Sequence, residues 1–259
     1  MSLSLQNIDL SYGRNQVLHD ISIKDVKRGQ LVGLIGPNAS GKSTLFRAIT
    51  GLLKPSAGEV ILEGTNLATL RRSERARRVA YMPQAFGCNA ILSVFESVLL
   101  ALKQTTGWRV KNDNLERVAE VLEELSLTHI SSRGISALSG GQAQMVAVAQ
   151  TLVRDPALVL LDEPTSALDL HHQLSILTAI RKAVHEREMI GIAALHDLNL
   201  AAQFCDRLIL IREGRVVADG PPKDVLALDA IGETYKVTTH LNHTDRGSLF
   251  VEAQLLEAS

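Results

Sequence analysis

The chain has 259 residues, 46% of them hydrophobic, 3% aromatic and 21% charged, and 27 basic against 28 acidic residues leave a formal net charge of −1. This is a globular composition, too aliphatic and too poor in Pro and Gly for a disordered or collagenous chain, and it carries no global positive field of the kind nucleic-acid binders use. A chain of this length buries roughly three quarters of its unfolded surface and needs no covalent staples. Cys88 and Cys205 have no CxxC spacing, which argues against a disulfide framework or zinc cluster and leaves both as core fillers in a reducing compartment. The N-terminal MSLSLQNIDLSYG lacks the basic and apolar regions of a signal peptide. No apolar run reaches the ~18 residues a membrane helix needs, and AILSVFESVLLAL is short and carries Glu96. Still, a mean hydropathy of +0.10 hints at surface buried against a partner.

From Leu3 to Asp9, and again from Val17 to Lys24, apolar and polar residues alternate, which predicts strands of a half-exposed antiparallel sheet. Leu31–Ile35 is a continuous apolar run ending in Gly36, as in a strand buried on both faces. A helix should follow from about Lys42 to Gly51, then Pro55 and Gly58 break the chain before a strand at Val60–Leu62. Five Arg and one Glu between Arg71 and Arg78 fit a solvated helix face better than an anion patch. Between about Ala85 and Val153 the spacing turns helical, with Leu115, Val118, Val121, Leu122 and Leu125 on one stripe. Alternation of strand and helix then resumes: Ala157–Leu161 and Met189–Leu195 as buried strands around a helix at about Asp169–Glu186, then a helix capped by Asp197 and a strand at Arg207–Ile211 closed by a Glu213-Gly214 turn. After Gly220-Pro221-Pro222 the pattern weakens to a short helix and a strand pair around Asp245-Arg246-Gly247.

Gly36-Pro37-Asn38-Ala39-Ser40-Gly41-Lys42-Ser43 matches the GxxxxGK[ST] phosphate loop, between a buried strand and a helix as its chemistry requires. Backbone N–H groups of such a loop converge on phosphate, the helix N-terminus adds a favourable dipole, Lys42 reaches the β and γ phosphates, and the Ser43 hydroxyl ligates Mg²⁺. Downstream, Leu158–Leu161 runs into Asp162 and Glu163. Alone, that fits a strand entering an acidic turn equally well. With the phosphate loop upstream it reads as a Walker B strand, with Asp162 beside the metal and Glu163 as general base toward water.

Leu138-Ser139-Gly140-Gly141-Gln142 stands before a predicted helix, where a hydroxyl and two glycine N–H groups make a second anion cradle. With this element the chain resembles the ATP-binding-cassette (ABC) ATPases, whose signature is LSGGQ, over about residues 3–225. The resemblance implies an α/β P-loop NTPase fold with a mixed β-sheet core, an antiparallel β subdomain and an inserted α-helical subdomain. It divides the chain into an ATPase domain at 1–225, with the helical part at about 85–153 inserted in a RecA-like core, and a C-terminal extension at 226–259. It implies that Tyr12 stacks on adenine, although an edge-strand tyrosine is an equal alternative. It also implies that Gln84 ligates Mg²⁺ with Ser43 and Asp162 and senses a transmembrane partner, that Ser166–Asp169 is the D-loop, and that His196 bonds the γ-phosphate. Residues 36–44, ending in Thr44, would hold ATP in one chain. Ser139, Gly140, Gly141, Gln142 and Asp169 would close on it from a second, in a head-to-tail homodimer. Lys42, Gln84, Glu163 and His196 form the implied catalytic set.

Ala39 departs from the usual Gly of the loop, and Ala143 and Met145 replace basic residues that commonly follow the signature, which bears on the hydrolysis rate. The phrases ERARRVAYMPQ, LDLHHQ and HDLNLAAQFCDR resemble the ATPases of importers for iron–siderophore complexes, haem and cobalamin. This implies a peripheral subunit on the cytoplasmic face of the cell membrane, working with a permease and, indirectly, an extracytoplasmic binding protein, and without nucleic acid. Another ABC importer or a regulatory ABC ATPase not coupled to transport is the alternative. A GTPase or small-molecule kinase would need an NKxD element or an Arg-rich lid, and neither is found. His171 and His172 are read as a solvated helix face, since adjacent helical side chains diverge.

Overall fold

The computed structural model describes residues 2–84, 91–106, 109–166, 168–244 and 247–256. Cys88, the first residues of the predicted helical segment and the Asp245-Arg246 turn lie outside these residues.

Strands β1 (Ser2–Tyr12) and β2 (Asn15–Lys27) form a hairpin, and β1 pairs on its other edge with β4 (Ala57–Leu62), which pairs with the short β5 (Thr65–Asn66), giving an antiparallel sheet in the order β2-β1-β4-β5. The alternation puts Leu3, Leu5, Ile8 and Leu10 of β1 and Leu18, Ile21, Ile23 and Val26 of β2 in the core. Gly58 does not break the chain as its type suggests. It lies inside β4 at φ 89°, where a Cβ would come within 2.3 Å of the Asn7 carbonyl oxygen.

The second sheet has the order β10-β9-β3-β8-β7-β6. Strands β3 (Leu31–Ile35), β6 (Val79–Met82), β7 (Leu158–Asp162), β8 (Ile190–Ala194) and β9 (Arg207–Arg212) run parallel, and β10 (Arg215–Gly220) returns antiparallel through Glu213 and Gly214, both at positive φ. This sheet separates two cores by strict alternation. Val32, Leu34, Leu158, Leu160, Ile192 and Ile209 face α1 (Lys42–Thr50) and the antiparallel sheet beyond it. Leu31, Ile35, Val159, Leu161, Ala193 and Leu208 face the core shared with α3 (Val94–Thr106), α4 (Asn112–Glu124), α5 (Gly140–Leu152), α6 (Leu170–Glu186) and α7 (Leu198–Phe204). Covered on both faces, these strands have no polar side to show, hence their unbroken apolar runs.

Helix α2 (Arg72–Arg78) has no buried residue, as its charge run predicts. On α4 the stripe is narrower than predicted: Val118, Val121 and Leu122 are buried, followed by Leu125, whereas Leu115 is 39% exposed because it lies a turn before the contact with the core. The tail forms two helices where one was expected, α8 (Pro222–Leu226) and α9 (Asp229–Tyr235), and then the antiparallel pair β11 (Val237–His243) and β12 (Leu249–Leu255). Val225, Leu226, Ile231 and Val251 bury this tail against the main core. Cys205 is buried there too, and burial pushes its thiol up to about 12. Among the described residues no helix is long and apolar enough to cross a membrane.

Candidate functional site

Four strand ends deliver the chemistry to one edge. Gly36 follows β3, Gln84 follows β6 and Pro83, Glu163 follows β7, and His196 comes two residues after β8. All lie at the carboxyl ends of parallel strands, where open α/β sheets bind ligands. The cleft there has a volume of about 930 Å³ and is lined by Tyr12, Asn38, Ala39, Ser40, Gly41, Lys42, Ser43, Thr44, Gln84, Glu163 and His196, together with Asn15 and Val17.

The loop from Gly36 to Gly41 is held tightly. A Cβ on Gly36, at φ 148°, would come within 2.2 Å of the Ile211 carbonyl oxygen, and one on Gly41, at φ 107°, within 2.9 Å of Leu18. Ala39 sits at φ 62°, the left-handed region usually left to glycine. Lys42 is 5% exposed and folds back so that its Nζ donates to the carbonyl oxygens of Gly36 at 2.7 Å and Pro37 at 2.9 Å. Burial holds its pKa below the ordinary lysine value, opposed by the nearby Glu163 and Asp162. Gly41 caps α1 without a side-chain hydrogen bond, and no acidic residue stands in the first turn, so the helix opens its N–H groups to an anion. The Ser40 hydroxyl is buried and finds no hydrogen-bond partner among the described residues.

Ser43 Oγ donates to Asp162 Oδ1 at 3.0 Å, and Tyr81 donates its hydroxyl to Asp162 Oδ2 at 3.0 Å. Burial, then the Asp162 charge, pushes Tyr81 up to about 12, so it stays a donor. Glu163 turns out of β7 at φ 54°, a strained position for a carboxylate residue. Its Oε2 accepts from Gln84 Nε2 at 2.6 Å, and its Oε1 lies 2.5 Å from His196 Nε2. Gln84 thus reaches Glu163 rather than the Ser43–Asp162 pair with which the resemblance groups it. An oxygen donor set of hydroxyl and carboxylate fits Mg²⁺, and Ser43 and Asp162 provide one. Tyr12 is 43% exposed at the rim beside Arg47, whose charged form its hydroxyl favours.

The second predicted cradle is not in this cleft. Ser139 caps α5, its Oγ accepting from the Gln142 N–H at 3.3 Å while Gln142 Oε1 accepts from the Ser139 N–H at 3.2 Å. Gly141 and Gln142 line a separate groove with Met145, His171 and His172, and Gly140 stands exposed beside them. Asp169 caps α6 on this side, accepting from His172 N–H at 2.9 Å, which holds its carboxyl below the ordinary aspartate value. Sequence inspection missed Tyr81, Asn15 and Val17. Tyr81 has no motif of its own; it meets Asp162 only because β6 pairs in parallel register with β7, Tyr81 opposite Leu160. Asn15 and Val17 enter the cleft because the β1–β2 hairpin leans over the phosphate loop, with Gly214 N–H bonded to the Ser40 carbonyl and His19 N–H to that of Gly214.

The family model described as "ABC transporter" matches residues 18–166. The chain is 38% identical to the hemin import ATP-binding protein HmuV of Pseudomonas entomophila, over 95% of this chain and 97% of that one. It is 36% identical to the phosphonates import ATP-binding protein PhnC of Wolinella succinogenes, over 99% and 98%. A bacterial ABC transporter cassette solved as a dimer shares the fold with a TM-score of 0.76 and 28% identity, over 85% of this chain and 98% of that one. Phosphate loop, acidic strand end and capped LSGGQ turn therefore stand in the setting of a known family, and the chain belongs to the ABC transporter family as an ABC ATPase.

Proposed function

We propose that this chain is the ATP-hydrolysing subunit of an importer that carries an iron–siderophore or related metal chelate across the cytoplasmic membrane through a partner permease, working as a head-to-tail homodimer on the cytoplasmic face. The carrying observation is the division of the predicted site. Lys42, Ser43, Glu163 and His196 line one cleft, with Asp162 buried behind it and bonded to Ser43, while Ser139–Gln142 and Asp169 lie on another face. One chain then holds half a site twice, and two copies arranged head to tail supply both halves.

In this reading the phosphates lie against the N–H groups of residues 36–44 and Lys42, and Tyr12 lies at the rim for the adenine. Ser43 and Asp162 would hold the cation, with Gln84 reaching it only after leaving Glu163. Mg²⁺, when bound, neutralises charge on the phosphate oxygens. Glu163 takes the proton from the attacking water at a carboxylate oxygen. Gln84 and His196 each hold one of its oxygens, which orients the carboxylate and leaves each oxygen a further lone pair for water. A permease that displaces Gln84 would free its amide from Glu163 to reach the cation. The substrate class rests on the importer-like phrases around Gln84, Asp169 and His196 and on the similarity to a hemin importer subunit. A phosphonate importer subunit is nearly as similar, so phosphonate belongs among the substrates tested.

Glu163→Gln is expected to bind ATP, lose about 10²–10⁴-fold in turnover and accumulate an ATP-held dimer on size exclusion, while Lys42→Ala abolishes ATP binding. Hydrolysis by Glu163→Gln at the wild-type rate overturns the general-base assignment. Co-purification with the host's permease, then uptake of labelled ferric siderophore, haem, cobalamin and phosphonate in a deletion strain, identifies the cargo. ATPase activity stimulated by nucleic acid and indifferent to the permease would favour a regulatory ABC ATPase.

A further inference from the structure

The two glycines of the Ser139–Gln142 turn differ in what surrounds them. A Cβ on Gly140 would meet nothing within 4 Å. A Cβ on Gly141 would lie 2.2 Å from Cδ2, 2.6 Å from Cγ and 2.8 Å from Nε2 of His172, so the imidazole sits directly on the Gly141 α-carbon. Any side chain at 141 displaces the ring, because no real Cβ approaches a ring atom so closely.

The same ring is fixed at its other side. His172 Nδ1 lies 2.7 Å from Asp169 Oδ1, and a carboxylate only accepts, so Nδ1 carries the hydrogen and donates. That oxygen also receives the His172 backbone N–H, so helix cap and ring contact are one unit. The His171 ring meets His172 edge-on at 5.5 Å and 85°. A second tie runs in parallel: Gln144 Nε2 on α5 donates to the Pro164 carbonyl oxygen at 2.9 Å, one residue after Glu163. Gln173 Nε2 reaches the Thr165 carbonyl oxygen at 3.4 Å, and Ser166 N–H that of Glu163 at 3.2 Å. The segment that leaves Glu163 is therefore tied to α5, the helix that the signature turn opens, at Pro164 and to α6, the helix that carries His172, at Thr165.

We infer that His172 is a positioning residue that plugs Gly141 and, through Asp169, locks the signature turn to the segment following Glu163. Departure of Glu163 from its resting contacts then moves the turn that closes on the partner's nucleotide. The adjacent histidines are thus more than a solvated helix face. The inference rests on the head-to-tail reading above, and it gives Gly141 a second purpose, room for an imidazole, besides access for phosphate.

A double-mutant cycle on the full chain tests it. His172→Ala is expected to lower ATP turnover about ten- to hundredfold, since small misplacements of a positioned group cost that much. Binding of a fluorescent ATP analogue to the isolated chain should change by no more than about twofold, because His172 does not line the cleft that holds Lys42 and Ser43. His172→Asn, which keeps a donor near the Nδ1 position, should recover part of the turnover, while His172→Phe, which keeps only the ring, should not recover the bond-dependent part. Gly141→Ala should cost about tenfold less turnover in a His172→Ala background than in wild type, the signature of coupled neighbours. Equal penalties in the two backgrounds, or wild-type turnover by a folded His172→Ala, overturn the inference while leaving the functional proposal standing. Absence of ATP turnover by the wild-type chain both alone and with its permease overturns both.

Discussion

At φ 62° Ala39 does with a methyl group what most phosphate loops of this type do with glycine. The left-handed region costs an L-residue about 1–2 kcal/mol, and Ala39→Gly regains that at the expense of about 0.4–1 kcal/mol of added freedom in the unfolded chain. The net expectation is a gain between about 0 and about 1.6 kcal/mol, read as a higher urea midpoint with an unchanged slope. A lower midpoint would mean that the methyl group packs favourably in the folded loop. Ala39 was visible in the sequence as a departure, but its φ was not, because it depends on how Gly36 and Gly41 seat against Ile211 and Leu18. Glu163 is the converse: its place at the end of a buried strand was legible from the run before it, while its positive φ and its clasp by Gln84 and His196 follow from three strands ending side by side.

Among the elements, those with one dominant physical cause were read to the residue. The β3 run Leu31–Ile35 is buried along its whole length, so its apolar stretch marks both ends. Helix α7 was placed by its cap, and Asp197 Oδ1 does accept from Asn199 N–H at 2.7 Å and Leu200 N–H at 3.0 Å. Asp197→Ala should cost about 1 kcal/mol in denaturant unfolding. It should also lower ATP turnover, since the cap adjoins His196; stability lost with turnover intact would show that α7 does not help set the histidine. Elements stabilised by neighbours were harder to see. Helix α9 contains Gly232, ends at Lys236 with φ 57° and carries only Ile231 and Thr234 as buried residues, so its own pattern is faint. The β11–β12 pair is held largely from outside, by Asn199, whose Oδ1 accepts from Val251 N–H at 2.7 Å while its Nδ2 donates to the Val251 carbonyl oxygen at 3.3 Å.

For the molecule as a whole, two cores share one sheet, and each contains a raised tyrosine or its setting. Tyr81, bonded to Asp162, and Tyr235, half-buried at the end of α9, are both pushed up to about 12, chiefly by desolvation. Their neutral forms are favoured in the folded state, so their contribution is complete below the ordinary tyrosine value near 10 and is lost as pH rises toward about 12, because the unfolded chain releases protons that the folded chain retains. Stability should therefore fall across that interval, with the phenolate absorbance of these two side chains appearing together with loss of helical circular dichroism. Tyr81→Phe should flatten the fall, and an unchanged slope would dissociate Tyr81 from it. The sequence by itself determined the chemistry and the kind of fold, since a phosphate loop, an acidic strand end and a capped LSGGQ turn each depend on residue types at short, fixed spacing. Tertiary structure alone decided which of these meet: the parallel order β9-β3-β8-β7-β6 gathers Lys42, Asp162, Glu163, His196, Gln84 and Tyr81 at one edge. It also leaves Ser139–Gln142 on another face under His172. Those partners are tens of residues apart in the chain, and only pairing register and packing fix such distances.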